Sequence, residues 1–144
     1  MKLQVSSRIA IFALLDLTAA PERQLAVAEI GEKYNVSSHH LAKVMQVLAR
    51  AGLVRSLRGA KGGYQFSGNA RRTTLLDVIQ LFEHLGATET ETVELDSTGE
   101  GRALRTVLSE VDDIARATLG SITLATMLKL VERQQTGGKP ARRS

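Results

Sequence analysis

The segment Val36–Phe66 reads VSSHHLAKVMQVLARAGLVRSLRGAKGGYQF, and the fold of the chain can be worked out from it. Its first half carries apolar residues at i, i+3, i+4 and i+7, the spacing of a helix that buries one side. Ser37 is suited to cap the start of this helix, because its hydroxyl can accept a first-turn N–H. Gly52 is suited to end it in the left-handed conformation. The predicted buried stripe consists of Leu41, Val44, Met45 and Leu48.

Two short runs of strand-forming residues follow, Leu53–Leu57 and Tyr64–Phe66, separated by a glycine-rich linker. Two such runs around glycines predict a hairpin, and the glycines allow its tip to turn tightly. Before the helix, Asn35 can adopt the left-handed conformation that a corner between two helices needs. Helix, corner, helix and hairpin is the order of a winged helix-turn-helix, which presents its second helix to the DNA major groove.

The polar side of the predicted helix contains no carboxylate. We therefore expect it to contact DNA, with bases or nearby phosphates reached by Ser38, His39, His40, Lys43 and Gln46. On the wing we expect Arg58 and Lys61 to bind DNA, and the phosphate backbone to be contacted by Arg55, Arg71 and Arg72. The alternative is a solvated helix and an ordinary hairpin whose polar residues simply meet water, with Arg71 and Arg72 as solvated charges of a linker.

Charge is unevenly distributed along the 144 residues. Residues 1–72 carry 11 Lys/Arg and 4 Asp/Glu, a balance of +7. Residues 73–120 carry 3 and 10, a balance of −7, and residues 121–144 carry 5 and 1, a balance of +4. Positive charge in the segment with the helix-turn-helix pattern is expected of a protein that neutralises phosphates.

This pattern resembles the Rrf family of bacterial winged-helix transcription regulators, which includes IscR and NsrR. The likeness covers about residues 1–133, and it is carried by Leu41, Lys43, Leu48, Ala51-Gly52-Leu53-Val54, Ser56, Arg58-Gly59 and Gly62-Gly63-Tyr64. The resemblance implies a DNA-binding regulator. It also implies a loop, near residues 86–101 of this chain, that commonly holds three cysteines ligating an iron–sulfur cluster.

That loop reads GATETETVELDSTGEG here, and the whole chain contains no cysteine. Thiolate ligation, thiol redox sensing and disulfides are therefore excluded. We expect a family member that kept the fold and lost the cluster, with no cofactor. The acidic residues of the loop could bind a divalent ion, but their spacing matches no defined site, so a solvated loop is the better interpretation.

The remaining helices follow from periodicity and caps. Val5–Ala19 is apolar nearly all round, which predicts a first helix buried on two sides. A second helix lies within Leu25–Tyr34, and a fourth begins after the cap Thr74 and runs to about Leu85. A long helix over 102–119 and a last helix over 121–132 complete the chain.

The long helix carries an apolar stripe suited to pairing across a twofold axis. Its predicted dimer-interface residues are Leu104, Val107, Leu108, Val111, Ile114 and Ala115. Packing of this stripe within its own subunit is the alternative. The predicted fold class is mainly α with a small β wing. It divides into a winged helix-turn-helix (1–85), an acidic loop (86–100), dimerisation helices (101–133) and a disordered basic tail (134–144).

The chain shows no phosphate-binding loop, nucleophile motif, metal-binding spacing or membrane span, so we expect neither an enzyme nor a membrane protein. The interpretation is a cytoplasmic, homodimeric repressor that binds double-stranded DNA. The signal that controls it stays open between a small-molecule or ion effector and a partner protein. A third possibility is a protein-interaction module that no longer reads DNA.

Overall fold

The computed structural model describes residues 2–58, 63–85 and 97–137. Six helices and one two-stranded antiparallel sheet are found in these ranges. In chain order they are α1 (Val5–Ala19), α2 (Val27–Tyr34), α3 (Ser38–Arg50), β1 (Val54–Leu57), β2 (Gly63–Phe66), α4 (Leu75–Ile79), α5 (Gly99–Ser121) and α6 (Leu124–Gly137). The mainly α fold with a small β wing is confirmed.

Helix α1 is the centre of the hydrophobic core, as its all-round apolar sequence predicted. Ala13, Leu14 and Leu17 have no exposed surface. The helix packs against α3, α4 and α6 as well as the hairpin. A helix that is apolar on every side can bury all of its apolar residues only by lying between other elements.

The two helices of the helix-turn-helix meet at a left-handed corner. Asn35 has φ 56° and ψ 51°, as predicted, and Val36 N–H donates to Gly31 C=O at 2.8 Å. Ser37 caps α3 by accepting a 3.1 Å hydrogen bond from the backbone N–H of His40. Gly52 ends α3 with φ +80°. All four residues of the predicted α3 stripe are at most 2% exposed, so the helix lies with a fixed side on the core.

The hairpin is bound to the body of the protein by a third short pairing. Strands β1 and β2 pair in register, with Arg55 opposite Gln65. Leu25, before α2, exchanges backbone hydrogen bonds of 3.0 and 2.9 Å with Tyr64. Gly63 has φ +140°, and a Cβ there would lie 2.8 Å from the carbonyl oxygen of Leu25. Only glycine therefore lets β2 approach Leu25 this closely.

Helix α4 is shorter than the sequence periodicity predicted. Thr74 and Asp77 form the predicted capping box, but the helix ends at Ile79 and not near Leu85. The chain continues in a turn that brings Glu83 to the start of α1. Its carboxylate accepts hydrogen bonds from Gln4 N–H at 2.9 Å and from the Ser7 hydroxyl at 2.5 Å. Behind Ile79 the backbone is held by tight-turn hydrogen bonds, with the Phe82 and Glu83 N–H groups both donating to Ile79 C=O at 3.0 Å.

Helix α5 begins at Gly99 after a cap by Thr98, so the last two residues of the predicted acidic loop are helical. None of its 23 residues is buried. Five residues of the predicted interface stripe are 53–67% exposed, namely Leu104, Val107, Leu108, Val111 and Ile114. Ala115 is half-buried, and it shares a helix side with Arg116 and Leu119, which contact their own chain. The end of α5 is thus anchored while its apolar stripe stays open.

Helix α6 packs on α1 through Met127, Leu128 and Val131. It extends to Gly137, four residues into the segment predicted as a disordered tail. The glutamines and the arginine before its end are good helix formers, so the helix continues after packing stops. Residues 138–144, the rest of that prediction, lie outside the described residues. Within the three described ranges, no helix is long and apolar enough to cross a membrane.

Candidate nucleic-acid interface

The exposed side of α3 carries four of the residues predicted to reach the major groove. Ser38, His39, Lys43 and Gln46 are all exposed. They lie opposite the buried stripe because that stripe fixes the rotation of the helix about its own axis. Their side chains offer hydroxyl, imidazole, ammonium and amide groups, which bind base edges and phosphates.

His40 is placed differently from these four. Its ring is half-buried, and its Nε2 lies 3.2 Å from the hydroxyl oxygen of Ser6 in the first turn of α1. The prediction put His40 in the groove, whereas the structure turns its ring towards α1. Ser6 was not predicted to matter, because nothing in the local sequence signals a contact between residues 34 positions apart.

Arg55 lies on the outer side of the hairpin and is held by the residue opposite it. Its Nε and Nη2 donate to the Oε1 atom of Gln65 at 3.2 and 2.7 Å. The Nε2 group of Gln65 in turn donates to the carbonyl of Pro21 at 3.1 Å. Arg55 was predicted from the sequence, whereas Gln65 was not, because its role can be recognised only once the strand register is known.

Arg58 follows β1 directly and is exposed at the start of the wing loop. The second predicted wing residue, Lys61, lies in 59–62, outside the described residues. An exposed guanidinium at this position is free to approach a phosphate or the minor groove.

Arg71 and Arg72 are exposed on a tight turn that is tied to the C-terminal helices. Arg71 N–H donates to the side chain of Asn69 at 3.0 Å, and Arg72 N–H to the Asn69 carbonyl at 3.1 Å. The neighbouring carbonyl of Ala70 accepts from Ala125 N–H at 2.9 Å. Arg71 and Arg72, which were predicted to contact the phosphate backbone of DNA, thus lie on a rigid turn next to α6.

Helix α2 is fastened to α1 by a small charged and aromatic cluster. Lys33 binds Asp16 at 2.8 Å, and the Tyr34 ring stacks on Phe12 with centroids 5.0 Å apart. The hydrogen bond to Asp16 raises the pKa of Lys33 above its ordinary value. Burial raises the pKa of the Tyr34 hydroxyl. These contacts hold the first helix of the helix-turn-helix in place against α1.

A metal site would need several ligand side chains that lie close together. In the part of the chain that the structure describes, no group of three or more His, Cys, Asp or Glu side chains could hold a metal ion. A cleft of about 220 Å³ lies between α1 and α2, but its charged side chains pair with one another, Lys33 with Asp16 and Arg23 with Glu29. Residues 86–96 of the acidic loop, whose carboxylates could bind a divalent ion, lie outside the described residues.

This geometry can be compared with known proteins. The chain is 44% identical over 142 residues to the protein BadM of Rhodopseudomonas palustris, whose name describes an HTH-type transcriptional regulator; the match covers 97% of this chain and 90% of BadM. The fold of this chain is similar to that of oxidised Staphylococcus aureus CymR, with a TM-score of 0.75 and 28% identity over 89% of this chain and 96% of CymR.

T. potens IscR has the same TM-score, 0.75, with 27% identity over 99% of this chain and 94% of that one. The family model Rrf2, described as an iron-dependent transcriptional regulator, matches residues 3–130. The matching segment includes the helix-turn-helix, the hairpin, α5 and the first half of α6. The chain is a DNA-binding transcription regulator, and it belongs to the Rrf2 family.

Proposed function

We propose that this chain acts as a homodimeric repressor that reads its operator with α3 and the wing and works without an iron–sulfur cluster. The observation that carries the proposal is the exposed, carboxylate-free side of α3, set beside a hairpin that bears Arg55 and Arg58. Such a surface can enter a major groove while the wing contacts the flanking backbone. Occupying a promoter blocks polymerase without any further contact, which favours repression. A DNA-binding role also supports a cytoplasmic location.

The dimer is supported by the open stripe of α5. Side chains such as Leu108 and Ile114 are 53% and 67% exposed, although they recur at helical spacing along one side. A contiguous apolar stripe of this kind commonly marks an interaction surface. Two copies packed through α5 would bury it and would place two recognition helices on one palindromic operator.

Independence from a cluster is supported by the ligand chemistry of the chain. The family description names iron, and iron–sulfur clusters are held by cysteine thiolates. This sequence contains no cysteine, so its residues do not fit such a cluster. We propose that another signal, a small molecule or a partner protein, takes the place of the cluster in this regulator. The sequence contains no phosphate-binding loop or nucleophile motif that would suggest catalysis.

The first test is DNA binding by the purified protein. Labelled DNA from the gene's own upstream region is titrated at several salt concentrations and followed by anisotropy. We expect sequence-dependent affinity that falls steeply with salt, because several phosphates are neutralised. Arg58→Ala should weaken binding by more than about 1 kcal/mol. Arg133→Ala, on α6, is the matched control. Affinity that ignores both sequence and salt would contradict the proposal and favour an interaction module.

The second test concerns the dimer. Leu108→Lys places a charge in the middle of the exposed α5 stripe and should convert the dimer to a monomer in light scattering, with a matching loss of operator affinity. Glu110→Lys introduces the same side chain on the same helix, but off the stripe. A wild-type protein that is monomeric at micromolar concentration and still binds its operator tightly would refute the dimer.

A further inference from the structure

The guanidinium of Arg55 is oriented by an uncharged partner. Arg55 and Gln65 lie directly opposite each other on the two strands, and both face away from the core because Val54 next to them is buried. One amide oxygen accepts from both Nε and Nη2 of Arg55, at 3.2 and 2.7 Å. Two bonds to one atom fix the plane of the guanidinium.

Gln65 is itself fixed at its other end. Its amide nitrogen donates to the carbonyl of Pro21, in the turn between α1 and α2, at 3.1 Å. The side chain therefore bridges two segments 44 residues apart, and its amide orientation is set by a donor on one side and an acceptor on the other. The bonds to Gln65 are made by Nε and Nη2, so in the described part of the chain they leave the Nη1 edge of the guanidinium available to another acceptor.

A second arginine nearby shows what a purely structural arrangement looks like. Arg23, two residues after Pro21, binds the carboxylate of Glu29 at 2.9 Å. That pairing compensates its charge locally. Gln65 holds Arg55 with comparable geometry but leaves the positive charge uncompensated. An amide in this position orients a cation while preserving its attraction for an anion.

We propose that Gln65 is a positioning residue that presents the Arg55 guanidinium to a phosphate of the operator backbone. The inference rests on the proposed DNA-binding function. Pre-orienting a long side chain reduces the conformational entropy that it loses on binding, and this strengthens the contact it makes. Gln65 thus strengthens binding through Arg55 and makes no contact with DNA itself.

Three variants test the proposal by anisotropy on operator DNA. Arg55→Ala removes the phosphate contact, so the slope of log affinity against log salt should become shallower by about 0.9 for each protomer bound. Gln65→Leu keeps the positive charge of Arg55 but no longer orients its guanidinium. Affinity should therefore fall about fivefold per protomer, with the salt slope unchanged. Gln65→Glu should lower both affinity and slope, because the new carboxylate neutralises Arg55.

The double variant Arg55→Ala/Gln65→Leu distinguishes positioning from a structural role. If Gln65 acts through Arg55, replacing it in the Arg55→Ala background should have no further effect on affinity. An equal loss in both backgrounds would show that Gln65 only docks the hairpin on Pro21, and would overturn the proposal. Thermal melts confirm that each variant is folded, and Arg133→Ala controls for loss of one remote charge.

The outcome for the wild-type protein separates this proposal from the proposed function. A wild-type chain that does not bind its operator would defeat the function itself. A wild-type chain that binds tightly, with an Arg55→Ala variant of the same affinity and salt slope, would overturn only the role given to Arg55 and Gln65.

Discussion

Helices α3 and α5 carry the same kind of sequence pattern and have opposite surroundings. Each has apolar residues at i, i+3, i+4 and i+7. In α3 the stripe is at most 2% exposed, whereas in α5 its main members are 53–67% exposed. Periodicity therefore shows that a helix has a side to bury, but it does not show what covers that side.

The difference lies in what each helix can reach. Helix α3 packs on α1 and α2, which are its neighbours in a short helix-turn-helix. Among the described residues, α5 contacts its own chain near its C-terminal end, where Arg116 donates to the Leu85 carbonyl at 2.6 Å and Gly120 lies against Leu76. Its N-terminal half extends beyond the core, so its stability depends on local helix preference, its cap and whatever covers the stripe.

The largest effect is expected from truncating the two stripes in parallel. Leu48→Ala removes a fully buried side chain and should lower the free energy of unfolding by about 3 kcal/mol, at any protein concentration. Leu108→Ala should destabilise the protein only where the dimer is populated, so its effect should vanish on dilution. Urea melts at several concentrations measure both. Equal, concentration-independent losses would mean that α5 is packed within its own chain.

The hairpin offers a matched pair of glycines within the compact region. Gly63→Ala should lower the free energy of unfolding by about 2–3 kcal/mol. The positive φ is strained for a residue with a Cβ, and the Leu25 carbonyl leaves no room for one. Gly52→Ala, which also has positive φ but nothing within 4 Å, should cost about 1 kcal/mol. Denaturant titration gives both values. A smaller loss at Gly63 than at Gly52 would show that β2 can move away from Leu25.

Helix α1 in the core and helix α5 outside it also differ in how their N-terminal ends are capped. Glu83 caps α1 through tertiary contacts. Glu83→Ala would leave the buried Ser7 hydroxyl without this partner and should lower the free energy of unfolding by about 1.5 kcal/mol. Thr98 caps α5 through a local bond to Gly101 N–H at 2.9 Å, and Thr98→Ala should cost about 0.5–1 kcal/mol. Chemical denaturation monitored by circular dichroism compares them. A larger loss for Thr98→Ala would reverse the ranking.

The smallest effect is expected at alkaline pH. The raised pKa of Lys33 means that its ion pair contributes fully below its unfolded value of 10.5 and is lost as pH rises through the folded value. The raised pKa of Tyr34 acts in the same direction, because the unfolded chain ionises first, from pH 10.0. Both groups are solvent-accessible, so the loss should be at most about 0.5 kcal/mol.

Asp16→Asn should flatten this alkaline decline, since Asp16 supports the shifts of both groups. Glu29→Gln, which disrupts the pair with Arg23, is the control and should leave the decline unchanged because arginine does not titrate in this range. An unchanged decline in Asp16→Asn would show that other groups cause it.

Much of the fold follows from local features that the sequence displays directly. Caps at Ser37 and Thr74, the left-handed corner at Asn35 and the end of α3 at Gly52 depend on residues a few positions apart. The exposed polar side of α3 can also be predicted from the sequence. Burial of the four apolar residues fixes the rotation of the helix, so its polar residues must face outwards.

What only the tertiary structure decided depends on contacts between distant residues. The ring of His40 turns to Ser6, Gln65 holds Arg55, and Glu83 accepts hydrogen bonds from the start of α1. Each partner is an ordinary polar residue in its own neighbourhood, so no local pattern marks it. The sequence by itself determined which surfaces are apolar, basic or capped, since these are properties of neighbouring residues. The three-dimensional packing decided which of those groups meet, because that depends on how the helices are arranged around α1.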